Sequence, residues 1–163
     1  MSPTLYTMGY GSWKDTKSRM KRMTRAMKDA GITMLVDIRH SPCASDPNPT
    51  GNYSAKAWNL QVRGGIVEEL RTLGIQYRWI VELGNPQKRD PQMAVLREHL
   101  ASGDPQWPVN RGLLLLRDLV ADPGQRCCML CACADYASCH RRVIAEAYSA
   151  KFHQQQLSII DLA

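Results

Sequence analysis

Along this chain the apolar positions switch repeatedly between short strand-like runs and a three- and four-residue spacing, and each switch marks the border of an element. Thr4 to Met8 (TLYTM) is a short β-rich run leading into Gly9-Tyr10-Gly11, which reads as a buried strand ending in a tight turn. From Lys14 to Ala30 the spacing becomes helical: Met20, Met23, Met27 and Ala30 fall on one side, and Gly31 supplies the stop. Core packing accounts for those methionines. Thr33 to Ile38 (TMLVDI) predicts a second strand, apolar enough to be covered on both faces. Ser41 to Asn52 holds three prolines and Cys43 and predicts a surface loop that could act as a lid. Ser54 to Leu73 predicts a helix interrupted at Gly64-Gly65 and closed by Gly74, and Gln76 to Val81 (QYRWIV) a third strand. Pro91 to Ala101 predicts a helix with proline at its first position, and Asn110 to Ala121 another whose buried face is Leu113, Leu114, Leu116, Leu119 and Val120. Arg126 to Cys133 is expected as the fourth strand, Cys139 to about Gln155 as the last helix, and Leu157 to Leu162 as a closing strand.

Strands alternating with helices define an α/β fold: one domain over residues 1–163, with a mostly parallel sheet of about five strands and helices on both faces. In such sheets ligands sit beyond the carboxyl ends of the strands. Tyr10 and Gly11, then Asp37, Arg39 and His40, then Glu82, and finally the loop from Cys131 to Arg142 all fall at those ends, although they come from four different strands. That convergence locates a candidate site.

Composition adds a partner class. With 163 residues, a formal charge of +6 and a pI near 9.1, the chain favours acidic partners such as nucleic acid or phosphorylated small molecules. The first helix carries Lys14, Lys17, Arg19, Lys21, Arg22, Arg25 and Lys28, which reads first as a solvated face and second as a track for phosphates. Aromatic residues for stacking are missing from that helix. No apolar run approaches the roughly 20 residues of a membrane helix, and the amino terminus lacks the series of a signal peptide. The expectation is a cytoplasmic protein with reduced thiols.

The chemistry concentrates in MLCACADYASCHRR, Met129 to Arg142. Five of the six cysteines lie between Cys127 and Cys139, and His140, Arg141 and Arg142 follow directly. Strand alternation sends Cys127, Met129, Cys131 and Cys133 to one face and Cys128 and Leu130 to the other, so the apparent C-x-x-C of Cys128 and Cys131 points in opposite directions. With Ser138 as cap, Cys139, His140 and Arg141 occupy the first turn of the last helix, where free N–H groups and the dipole favour a thiolate or a bound anion. Cations there call for a negative partner. Cys127, Cys128 and Cys131 read as small buried hydrophobes, whereas Cys139 is expected to be exposed by the polar loop before it. Cys131, Cys133, Cys139 and His140 also make a Cys3His metal set, with a spacing unlike that of a standard zinc ribbon. His99 and His153 have no acidic or thiol companions.

The segments YTMGYG, LVDIRHSP, GIQYRWIVELG and LCACADYASCHRR resemble those of the domain of unknown function 488 family, from about Tyr6 to Asp161. The resemblance implies a small cytoplasmic α/β protein of largely prokaryotic type, with motif positions at Gly9, Asp37, Arg39, Glu82, Leu83, Gly84, Cys131, Cys139, His140 and Arg141. Two departures stand out: Cys133 occupies the place of a common glutamate, and SPCASDPNPTGNY replaces the aromatic and basic residues usual after the Asp-x-Arg segment.

Three function classes fit these residues. The first is an enzyme of nucleotide or nucleic-acid metabolism, in which Arg39, Arg141, Tyr10, Gly11 and His40 hold an anionic group. Cys139 then acts as nucleophile or redox thiol, and Asp37, His140 or Glu82 manages protons. The second is a non-catalytic nucleic-acid-binding or protein-binding module using the basic first helix. The third is a zinc, iron or redox-sensing protein built on Cys131, Cys133, Cys139 and His140.

Overall fold

A computed structural model describes residues 3–13, 18–40, 65–87, 90–133 and 135–162. Five strands, β1 (Thr4–Gly9), β2 (Met34–Asp37), β3 (Gln76–Trp79), β4 (Cys127–Cys131) and β5 (Ser158–Asp161), form one sheet in the order β3-β2-β4-β1-β5, and every pairing is parallel. Five helices alternate with them: α1 (Arg19–Asp29), α2 (Ile66–Thr72), α3 (Ala94–Ser102), α4 (Pro108–Ala121) and α5 (His140–Phe152). Parallel neighbours need long crossovers, and the helices are those crossovers.

The two faces of the sheet are sealed by different helices. On one face Met8, Leu35, Cys128 and Leu130 pack with Met23 and Met27 of α1 and Ile66 and Leu70 of α2. On the other, Leu5, Met34, Val36, Cys127, Met129 and Cys131 pack with Leu96, Leu113, Leu116, Val143, Ile144 and Tyr148 of α3, α4 and α5. Alternation along each strand produces this division, and the central strands β2 and β4, covered on both sides, are buried at every residue. The α/β architecture with helices on both faces thus stands.

Helix limits follow local chemistry. Gly31 and Gly74 adopt positive φ of 73° and 71° just after α1 and α2, ending both helices as anticipated, and Met23 and Met27 are core residues. Pro91 does not open α3; the helix starts at Ala94 after Met93, which takes φ 53°, while Asp90 accepts a hydrogen bond from the Val95 N–H at 3.1 Å. The helix-opening proline is Pro108, at the start of α4. Leu114 lies outside the buried face assigned to it, being 39% exposed. Arg19 is not on a solvated face: it is buried, and its Nε donates to the Trp13 carbonyl at 2.8 Å. Lys14, Lys17, the Ser41 to Asn52 lid and the first part of the helix expected from Ser54 lie outside the described residues.

The crossovers also fix where a site can form. β4 sends its following helix, α5, to one face, while its neighbours β1 and β2 send α1 and α2 to the other. A crevice therefore opens at the carboxyl end of β4. Gly9 pairs with Cys131 there, and its lack of a side chain decides how close the layers come. A Cβ on Gly9 would collide with the Cys133 carbonyl oxygen and sit 2.5 Å from Arg141 Nη1. Gly9→Ala is accordingly expected to destabilise the protein by ~3 kcal/mol or more, read as a fall in urea midpoint at unchanged slope, because neither the backbone nor a buried guanidinium can yield cheaply.

Candidate metal centre

The site is assembled where β4 ends and α5 begins. Alternation places Cys131, the last residue of β4, and Cys133 beyond it on the side facing α5, with Cys128 and Leu130 on the opposite face. The chain then makes a single 3-10 turn over Tyr136–Ser138, capped by the Asp135 carboxylate, which accepts from the Ala137 N–H at 3.0 Å. Cys139 follows as the N-cap of α5: its backbone is extended and its sulfur accepts the Arg141 N–H at 3.5 Å. Ser138 is therefore not the cap, and Cys139 is not exposed but 1% accessible. The reason is geometric: a capping side chain folds back over the helix end, which here faces β4.

His140, the first residue of α5, closes the group. Its Nε2 lies 3.0 Å from the Ile38 carbonyl, which can only accept, so Nε2 carries a hydrogen and Nδ1 is the ring nitrogen that faces the sulfurs. Nδ1 stands 3.5 Å from Cys131 Sγ and 3.8 Å from Cys139 Sγ, and Cys131 Sγ stands 3.7 Å from Cys133 Sγ. All four donor atoms lie within 4.8 Å of one another. Cys131, Cys139 and His140 are buried and Cys133 is half-buried. A cleft of about 470 Å³, lined by Asn85, Asp90, Pro91, Met93, Cys133, Ser138 and His140, opens over the cluster.

The cluster draws positive charge. Burial by itself would make His140 harder to protonate, but the adjacent Cys131 sulfur and hydrogen bonds to Cys131, Cys133 and Cys139 outweigh it, leaving the imidazole well above its ordinary range. Cys127 and Cys128 behave in the opposite way: burial pushes the first up to about 11 and the second still higher, as for inert core thiols.

Arg141 and Arg39 are both turned inward. Arg141 is fully buried; Nη1 donates to the Cys133 carbonyl at 3.0 Å, and Nη2 pairs with Asp161 Oδ1 at 3.4 Å. Arg142 pairs with Glu146 at 2.8 Å on the surface. The negative partner that cations in a first helical turn require is thus supplied by the protein itself. On the α1 and α2 side of the sheet, Asp37 is fully buried and accepts from Arg39 Nε at 2.9 Å, Nη2 at 2.5 Å and its backbone N–H at 3.0 Å, and from Tyr77 Oη at 2.5 Å. Arg39 Nη1 reaches Tyr10 Oη at 3.4 Å. Burial raises both Tyr10 and Tyr77, so both phenols stay protonated. The Asp37 to Arg39 contact ties down the loop after β2.

A family model described as "Domain of unknown function DUF488" matches residues 19–148, most of the chain. The chain belongs to the DUF488 family. Neither a curated protein nor a solved structure matches it. Gly9, at the floor of the crevice, precedes the part of the chain that the DUF488 model covers. Of the positions singled out as candidate site residues, Cys131, Cys133, Cys139 and His140 come together in this DUF488 protein, and Arg141 lies against them from behind. Asp37, Arg39 and Tyr10 form a second group across the sheet, joined to the first through Ile38. Gly11 donates its backbone N–H to the Ala132 carbonyl at 2.9 Å. Glu82 sits in a 3-10 turn over Val81–Leu83 packed on Gly112 of α4, and exposed His40 packs by its backbone against Gly84; neither lines the cleft. His99 stacks on Trp107 at 3.9 Å, and His153 lies 3.2 Å from Tyr148 Oη, both apart from the cluster.

Two partners escaped the sequence reading. Asp161, in an edge strand, is the only carboxylate the described residues place against Arg141, and Tyr77 completes Asp37. An aspartate closing an apolar strand was the available signal for the first, and a tyrosine at an alternating position in QYRW for the second. Removing one member of the buried Asp37–Arg39 pair leaves an uncompensated charge. Asp37→Asn is expected to cost about 3–5 kcal/mol in chemical denaturation, whereas the double change Asp37→Leu with Arg39→Met should cost clearly less.

Proposed function

We propose that this DUF488 protein is a metalloprotein in which Cys131, Cys133, Cys139 and His140 bind one transition-metal ion, zinc by the softness of the donor set. One observation carries the reading. Tetrahedral zinc, with Zn–S of about 2.3 Å and Zn–N of about 2.0–2.1 Å, needs S···S and S···N separations of roughly 3.5–3.8 Å. Three of the separations in this cluster are 3.7, 3.5 and 3.8 Å, and all four donor atoms lie within 4.8 Å of one another. Supporting it, the ligands sit on the end of a strand and the start of a helix, and the Ile38 carbonyl orients the imidazole, as a partner beyond the ligands does in metal sites. Cys139 is then a ligand, which accounts for its burial better than a free catalytic thiol does.

The cleft beside Cys133 and His140 gives the centre access to a small molecule, so a role in enzymatic or sensing chemistry runs through the metal-bound donors. The expected result is close to one equivalent of zinc per chain by elemental analysis of purified protein. Cobalt substitution should give the absorption of a tetrahedral thiolate site, and Cys131→Ser or Cys139→Ser should remove both signals. Chelator should lower the melting temperature, because binding and folding are linked. A metal-free protein whose cysteines all alkylate independently would end this reading.

A second reading, nucleic-acid binding by the basic first helix, is favoured by a cleft of about 590 Å³ beside α1 in which Trp13 accompanies Lys21, Arg22 and Arg25. Trp13 supplies the aromatic surface that α1 lacks, with Arg22 stacked 5.2 Å from its centroid. If it holds, reversing the charges of Lys21 and Arg25 abolishes a salt-sensitive affinity for single-stranded oligonucleotides; affinity unchanged by the reversal excludes it.

A further inference from the structure

The four donors are not equivalent. Cys131, Cys139 and His140 are 4%, 1% and 7% accessible, whereas Cys133 is half-buried and forms part of the wall of the cleft with Asn85, Asp90, Met93 and Ser138. A reagent entering that cleft meets one sulfur. Building on the metal reading above, we infer that Cys133 is a metal-activated thiolate that accepts alkyl groups from carbon electrophiles small enough to enter the cleft.

The chemistry follows from the donor set. A thiol that coordinates a metal ion does so without its proton, so a sulfur that holds the ion is a thiolate. Three thiolates and a neutral imidazole around a divalent ion leave one net negative charge, which favours an electron-rich sulfur over a strong Lewis acid. The Arg141 N–H bound to Cys139 Sγ, and the α5 terminus around it, stabilise charge on Cys139 rather than on Cys133. The nucleophilic share of the cluster is thereby shifted to the accessible sulfur. In the step itself, a lone pair of Cys133 Sγ forms a bond to an alkyl carbon, and the bond from that carbon to its leaving group, a halide or a sulfonate or phosphate ester, breaks with both electrons departing on the leaving group. The thiolate's negative charge leaves with it, and a neutral thioether remains. The step needs no oxidant, reductant or added proton.

A thioether is a weaker ligand than a thiolate, so alkylation of Cys133 loosens the metal and reports the electrophile as a change in the centre. The substrate class is therefore alkylating agents, and the protein acts on them stoichiometrically.

The test uses the full chain loaded with zinc, with metal content measured first by native mass spectrometry; absence of zinc at that stage rejects the metal reading and this inference with it, whereas failure of the zinc-loaded protein in the next step rejects this inference alone. The loaded protein is then treated with limiting methyl methanesulfonate in the presence of an equal concentration of glutathione, and methylation is mapped residue by residue, with Cys43 read separately. The expected result is methyl on Cys133 about tenfold faster than on glutathione, with Cys127, Cys128, Cys131 and Cys139 unmodified, followed by easier removal of zinc by chelator. Cys133→His, which keeps four donors, should retain zinc and lose the fast methylation. Zinc-loaded protein in which glutathione reacts as fast as Cys133, or in which Cys131 or Cys139 is methylated first, overturns the inference, as does fast methylation persisting elsewhere in the cluster of Cys133→His.

Discussion

Strand β4 can occupy the middle of a parallel sheet only if nothing along it needs water on either face. All five of its residues are buried, and three of them are cysteines. Sulfur satisfies that requirement as a small apolar atom, and it regains its chemistry only where the strand ends and polar neighbours appear. The same residue type therefore serves as packing at Cys127 and Cys128 and as a candidate ligand at Cys131, and position along one strand decides which. The neighbours β1 and β2, paired on either side of β4, bring Gly9 and Ile38 to its carboxyl end, one to leave space and the other to orient the imidazole.

Two of the buried guanidinium groups are held against carboxylates. Asp37 with Arg39 and Asp161 with Arg141 each bury a guanidinium against a carboxylate, one on each side of the sheet end. Taking single charges out of water is far more costly than burying a hydrogen-bonded pair, so these partners come as sets. Their inward geometry changes how the C-H-R segment is understood. His140 and the cysteines face the cleft or the cluster, while Arg141 braces the loop from behind by holding the Cys133 carbonyl and the last described strand.

Much of this was legible in the residues. The five strands and five helices of the described residues were located from period and punctuation, and strand alternation correctly separated Cys128 from Cys131, because a two-residue period is dictated by backbone geometry alone. The Cys131, Cys133, Cys139 and His140 set was also visible, although its spacing argued against it. Linear spacing rules describe loops that wrap a metal, and here the fold brings a strand end and a helix start together instead. The capping role of Cys139 and the inward turn of Arg19, Arg39 and Arg141 were not legible. Each depends on what a neighbouring layer offers, and a single sequence does not record which layer covers which side chain. The start of α3 was misplaced for a local reason, since Pro91 suits a first helical turn as well as it suits the turn residues found before Ala94.

The strand order carries a consequence for biosynthesis. β1 pairs with β4 on one side and β5 on the other and with no strand closer in the chain, so its hydrogen-bonding edges have no partner until Cys127 to Cys131 has been made. Pairings so distant in sequence delay folding, because the loop must be closed before its contacts reward closure. On the ribosome, β1 must wait until Cys127 to Cys131 has been synthesised, and a chaperone that shelters Thr4 to Gly9 would be sheltering the floor of the future site.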